Sequence, residues 1–225
     1  MKVVKIIFKL FISLLFICSI ALNIFTFRSS YGSLLLKYDD NKFSSMVSAR
    51  YLDFNPAYFL NQKDTGLQMK VVSTKDGKTE TKLYEFHFND NGELTTKISE
   101  TDSNSKTSYS YYKDNVLYKE VGQLKTKIPT DKNIFVTSLF TEILSYQQIL
   151  VDDISKTDTK TSIDFSFNSG YLLGLKYKMN EDTCFYYDLE GRLRKIETSL
   201  PNETVKTFEI TYKNQAVTLP DLSKY

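Results

Sequence analysis

His87 is the only histidine in the 225 residues, and Cys18 and Cys184 are the only cysteines. Any Ser-His-Asp or Cys-His arrangement must therefore pass through His87. It stands in Tyr84-Glu-Phe-His-Phe88, where alternation puts it with Glu85 on the face opposite Tyr84, Phe86 and Phe88, the position of a solvated strand histidine. Cys184, in Thr183-Cys-Phe-Tyr-Tyr187, reads as an inert thiol buried in an apolar strand. One His and one Cys beyond the N-terminal segment cannot complete a zinc set, and no Asp-rich loop has calcium spacing. Asp152-Asp153 is a carboxylate pair of the kind acid–base chemistry uses, and it reads as a loop following a helix. No glycine-rich phosphate loop is present. We expect no catalytic residue, no metal and no cofactor, hence a protein that is not an enzyme.

Lys and Arg number 29 against 27 Asp and Glu, and the basic residues are scattered singly, so the long-range field is weak and nucleic acid is excluded as an expected partner. The 16 Tyr and 16 Phe could stack sugars or bases, but they fall at strand periodicity and read as core.

Residues 1–28 differ in kind from the rest. Lys2, Lys5 and Lys9 precede an uncharged run from Leu10 to Phe27, and Arg28 follows. A run of about 18 apolar residues is at the short end of what spans a bilayer core. The lysines hold its N-terminal side in the cytoplasm and send the rest across. We expect a single-pass cell-membrane protein with a large extracytoplasmic C-terminal domain. Ser19-Ile-Ala21 offers a signal-peptidase alternative, but the apolar run continues past it. Ile17 before Cys18 argues against lipidation.

Residues 29–64 read as a helical connecting segment, broken near Asp39-Asp40-Asn41 and ended by Asn55-Pro56. From residue 65 the period becomes two. Leu67, Met69 and Val71 alternate with polar residues, and turns follow at Asp76-Gly77, Asn91-Gly92 and Asp114-Asn115. Between about 131 and 150 the spacing changes: Phe135, Val136, Leu139, Phe140, Ile143 and Leu144 form the apolar side of a helix laid on a sheet. Strands then resume to Tyr212, and Val217 to Leu219 closes the chain before Pro220. The fold class is α+β: a transmembrane helix, then a curved antiparallel sheet in the order strands, helix, strands, covered by one amphipathic helix.

Phe88-Asn-Asp-Asn-Gly92-Glu-Leu94 and Tyr187-Asp-Leu-Glu-Gly191-Arg-Leu193 share an aromatic, a turn glycine and a leucine, which suggests either a duplicated sheet or repeated hairpin chemistry. The second stretch also resembles one copy of the YD repeat of Rhs-type surface proteins, which need long arrays.

The element order from about Lys63 to Leu222 resembles the LolA, LppX and RseB group of envelope proteins. That resemblance implies a half-barrel sheet holding acyl chains or peptide against its helix. Phe165, Phe167, Tyr171, Leu173, Leu175 and Tyr177 supply more inward apolar surface than one helix obviously covers. They are the expected ligand-binding residues for a lipid or other hydrophobic ligand. The alternative is a structural or signalling module whose sheet binds another envelope protein.

Overall fold

The computed structural model describes residues 54–154, 163–168, 172–188 and 191–225, with Ser13 and Ile17. The Leu10 to Phe27 run and most of the 29–64 connecting segment lie outside the described residues. Among those described, no helix is long and apolar enough to cross a membrane.

Eleven antiparallel strands form one open sheet: β1 (Thr65–Lys75), β2 (Lys78–Phe88), β3 (Leu94–Thr101), β4 (Thr107–Lys113), β5 (Val116–Val121), β6 (Leu124–Pro129), β7 (Ile163–Asn168), β8 (Leu172–Lys178), β9 (Thr183–Asp188), β10 (Leu193–Ser199) and β11 (Val205–Tyr212). Their order is β6-β5-β4-β3-β2-β1-β11-β10-β9-β8-β7. Two meanders thus lie side by side, sewn together where β1 pairs β11 from Leu67 opposite Tyr212 to Thr74 opposite Val205. Helix α2 (Lys132–Ile154) connects the two outer edges, β6 and β7.

Turn chemistry sets the register. Asp76-Gly77 and Asp114-Asn115 are two-residue turns with positive φ at both positions, which favours Gly, Asn and Asp. A longer turn is built three times. The side chains of Asn89, Asp102 and Asp188 each accept the backbone N–H four residues on, from Glu93, Lys106 and Arg192, all at 2.9 Å. The residue before that donor takes positive φ: Gly92, Ser105 and Gly191. The likeness between the Gly92 and Gly191 stretches is this turn, and its third appearance at Ser105 favours hairpin chemistry over duplication.

One face of the sheet carries the core. Leu67, Met69, Val71, Phe86, Phe88, Leu94, Ile98, Tyr112, Phe185, Tyr187, Ile196, Phe208 and Ile210 are all buried there. From α2, Phe135, Val136, Phe140, Ile143, Gln147 and Leu150 meet it at helical spacing. Phe135 stacks on Tyr112 with centroids 4.1 Å apart, Phe140 tilts against Phe86 at 5.5 Å, and Tyr146 stands edge-on to Phe208 at 5.8 Å. Helix α2 therefore crosses the strands from β4 past β2 to β11. The other face mixes cross-strand ion pairs, Glu85–Lys97 at 3.4 Å and Lys70–Glu209 at 3.7 Å, with an aromatic patch in which Tyr109 stacks on Tyr111.

Several expectations are corrected. Cys184 is half-buried on the outer face, beside Tyr186, because the same alternation turns Phe185 and Tyr187 inward. Asp152 and Asp153 lie within the last turn of α2, which runs on to Ile154. Asn55 and Pro56, read as stopping a helix, start one: Asn55 Oδ1 accepts the Ala57 N–H at 3.0 Å and Pro56 opens α1 (Pro56–Phe59). Strand β6, behind the Gly122 turn, was not foreseen. Val217 to Leu219 is not strand; the chain instead reaches a final 3-10 turn, Leu222–Lys224. Tyr225 then lies edge-on to Tyr111 and Tyr118, and its hydroxyl donates to Glu120 Oε2 at 2.7 Å.

Candidate functional site

Helix α1 is a single turn, and its geometry aims one side chain at the sheet. Phe59 is buried, with ring centroids 5.5 Å from Phe86, 5.0 Å from Phe88 and 4.7 Å from Phe140, edge-on in each case. Phe54 adds another edge contact to Phe140 at 5.5 Å. Below this cluster β1 and β11 approach closely. The Lys213 N–H donates to the Gly66 carbonyl at 2.9 Å, and a Cβ on residue 66 would stand 2.1 Å from the Lys213 carbonyl oxygen. Only glycine fits there.

A compact ionic group borders the same place. Asp188 accepts from Arg192 Nε at 3.0 Å and from Arg194 Nε at 2.8 Å. The pairing register between β9 and β10 shifts at Leu193/Lys195, a bulge that lets Leu193 and Ile196, three apart, both point inward. The two guanidinium carbons lie 5.2 and 5.1 Å from the centre of the Tyr212 ring. Burial by itself would raise the Asp188 pKa. The hydrogen bonds from the Arg192 backbone and from both guanidiniums outweigh it and hold the carboxyl below its usual range. Tyr187 behind it is pushed up by burial, with the Tyr212 hydroxyl contributing.

Between these groups lies a cavity of about 170 Å³, lined by Phe54, Phe59, Leu67, Phe88, Tyr212 and Arg192 among others. At about 30 Å³ per water-sized group, it admits roughly five or six heavy atoms, enough for one ring or the end of an acyl chain. An open groove of about 450 Å³ lies at the far ends of β2 to β5, with Glu80, Lys82, Glu100, Asp102 and Lys106 in its walls. Its charged lining suits water better than an apolar ligand.

Of the six expected ligand residues, Leu175 and Tyr177 are buried on the covered face. Backbone register places Phe165 opposite Leu175, Phe167 opposite Leu173 and Ile163 opposite Tyr177, and Tyr171 lies outside the described residues. The 170 Å³ cavity is lined by other residues. His87 keeps to the half-buried outer side, and among the described residues no group of three His, Cys, Asp or Glu is placed to hold a metal. The Phe59, Arg192 and Tyr212 cluster was missed: Asn55-Pro56 signals a helix start and Asp188 to Arg192 a turn, but neither signals that the two meet.

No protein-family model and no curated protein matches the chain. Solved structures similar to it include LprF from Mycobacterium bovis, 8% identical with a TM-score of 0.46 over 81% of this chain and 97% of that one. The lipoprotein LppX from Mycobacterium tuberculosis is 10% identical with a TM-score of 0.43, over 81% of this chain and all of that one. A chain of the MucA/MucB complex from Pseudomonas aeruginosa is 12% identical with a TM-score of 0.38, over 80% of this chain and 59% of that one. LppX is named in the group that the element order resembles, and all three similarities fall below a TM-score of 0.5 and below 25% identity.

Proposed function

We propose that this is a non-catalytic, membrane-tethered extracytoplasmic domain that binds a lipid or other hydrophobic ligand between its sheet and α2. The observation that carries the reading is the double role of Phe59: its ring is both a wall of the aromatic cavity and a direct contact of Phe140 on α2. The cavity alone holds only a ring or a chain end. Movement of α1 or α2 at this contact would continue it into the apolar layer that contains Leu175 and Tyr177, with Phe165, Phe167, Tyr171 and Leu173 as the further ligand-facing residues. Among the described residues, α2 with its 23 residues is about 35 Å long against a sheet of eleven strands about 50 Å wide, so the apolar layer extends beyond what α2 covers. Tethering through Leu10 to Phe27 rests on the charge asymmetry of the N-terminal segment.

Native mass spectrometry of the Ser29–Tyr225 fragment, purified without detergent, tests the reading. A co-purifying hydrophobic molecule is expected, and a uniformly ligand-free mass would count against it.

A second reading, docking to another envelope protein, is favoured by the β5–β6 hairpin. Val121 and Leu124 face each other across its turn, 65% and 73% exposed, and all of β6 is exposed along an open sheet edge. Proximity labelling from the full chain should then yield one dominant partner, lost when Val121 and Leu124 are both replaced by serine.

A further inference from the structure

The β5–β6 hairpin exposes an apolar tip beside cations that no carboxylate pairs with. Val121 and Leu124 stand opposite each other across the Gly122-Gln123 turn, and both are exposed, as is every residue of β6. From Val116 to Pro129 the hairpin holds Lys119, Lys125 and Lys127 against one carboxylate, Glu120, which already accepts the Tyr225 hydroxyl at 2.7 Å. Asp221, within electrostatic reach of Lys125, is paired with Lys224 at 3.6 Å. Among the described residues none of the three lysines forms an ion pair. Lys125 lies 4.5 Å from the centre of the Tyr225 ring and Lys127 5.7 Å from that of Tyr118, contacts that leave the ammonium charge unneutralised. Of the acidic residues in the neighbouring groove, Glu100 is paired with Lys82 at 3.2 Å, and Asp102 accepts backbone N–H groups of its own turn.

The register places Lys125, Lys119 and Lys127 about 3, 7 and 10 Å behind the tip pair, with Tyr118 level with Lys127. Apolar residues foremost, then lysines, then tyrosine is the order of an element that sits in a bilayer interface. We infer that the β5–β6 hairpin docks on an anionic lipid surface, with Val121 and Leu124 entering below the headgroups and the three lysines lying among the lipid phosphates. This rests on the membrane-tethered reading above and adds to it the surface that touches the bilayer. Lysines on an edge strand discourage pairing with another strand, which favours a bilayer over strand addition by a protein at this edge.

The test is dye fluorescence from the full chain in nanodiscs of phosphatidylcholine, alone or mixed with phosphatidylglycerol. Cys18→Ser and Cys184→Ser leave Gln123→Cys as the one labelled position. The readout is quenching by a lipid spin-labelled near its headgroup, compared with the same dye at Asn91→Cys, on a turn at the opposite end of the strands. Quenching is expected at position 123 and not at 91, and more of it with phosphatidylglycerol. Each of Lys119, Lys125 and Lys127 replaced by glutamine should weaken docking on the anionic discs about fivefold. Val121→Ser with Leu124→Ser should remove the quenching in both compositions. Quenching at 123 that ignores both phosphatidylglycerol and the lysines would overturn the anionic assignment. Equal quenching at 123 and 91 in a chain that enters the discs would overturn the docking and leave the tether standing; a single dominant proximity-labelled protein would then assign the hairpin to the second reading above. A chain that does not enter the discs would overturn both.

Discussion

Phe59 meets Phe140 edge-on, with ring centroids 4.7 Å apart, and this contact joins the one-turn helix α1 to the long helix α2 above the sheet. Because Phe59 also touches Phe86 and Phe88, one side chain connects three elements of the fold.

Replacing Phe59 by alanine should therefore destabilise the protein by about 3 to 5 kcal/mol, the range for truncating a buried aromatic. Urea unfolding of the Ser29–Tyr225 fragment measures it. A loss below about 1 kcal/mol would mean that α1 is not held by this ring.

Asp188 gives a prediction with a pH sign. Its folded pKa lies below the usual carboxylate range, so the stability it contributes is present above the unfolded-state value near 3.9 and is lost as pH falls through the lower folded value. Asp188→Asn should cost about 2 to 3 kcal/mol at neutral pH, less than the full cost of opening a buried pair because Arg192 is partly exposed. The gap between wild type and variant should close in acid, below roughly pH 4. A gap that stays constant down to pH 2 would assign the loss to the turn and not to the ion pairs.

Two buried polar atoms on the covered face have no hydrogen-bond partner among the described residues: Gln147 Oε1 on α2 and Thr96 Oγ1 on β3. An isosteric or near-isosteric apolar residue avoids that desolvation cost. Thr96→Val and Gln147→Leu should each stabilise the protein by about 1 kcal/mol, read from the unfolding midpoint. Destabilisation by either would show that its oxygen has a partner in solution.

Gly66→Ala should destabilise by about 2 kcal/mol or more, because the new Cβ would stand 2.1 Å from a backbone oxygen that cannot swing away. The same shift would displace the end of β11 and Tyr212, so ligand affinity should fall together with stability. Thermal unfolding and probe titration on one sample check both.

Most of the sheet was legible because its signals are local. Alternation in β1, β2 and β8 fixes which residues face the core, and two-residue turns such as Asp76-Gly77 fix the register. The α2 stripe was legible through Ile143 because the apolar spacing is unbroken to that point. Its end was not, since Gln147 interrupts the stripe and Asp152-Asp153 puts negative charge at a helix C-terminus, where it is unfavourable. The candidate site was not legible for a different reason. Phe59, Phe88 and Tyr212 come from three elements and Arg192 from the β9–β10 turn, brought together by the β1–β11 seam, and that pairing joins Leu67 to Tyr212 across most of the domain. No local period encodes it.

If a ligand lies between the sheet and α2, entering past Phe59, a crystal structure of the Ser29–Tyr225 fragment purified without detergent will contain it. We expect density for an elongated apolar molecule running from the Phe54, Phe59 and Phe88 walls toward Leu175 and Tyr177. An interior in which α2 and the sheet meet side chain to side chain throughout, with no density between them, would contradict the claim.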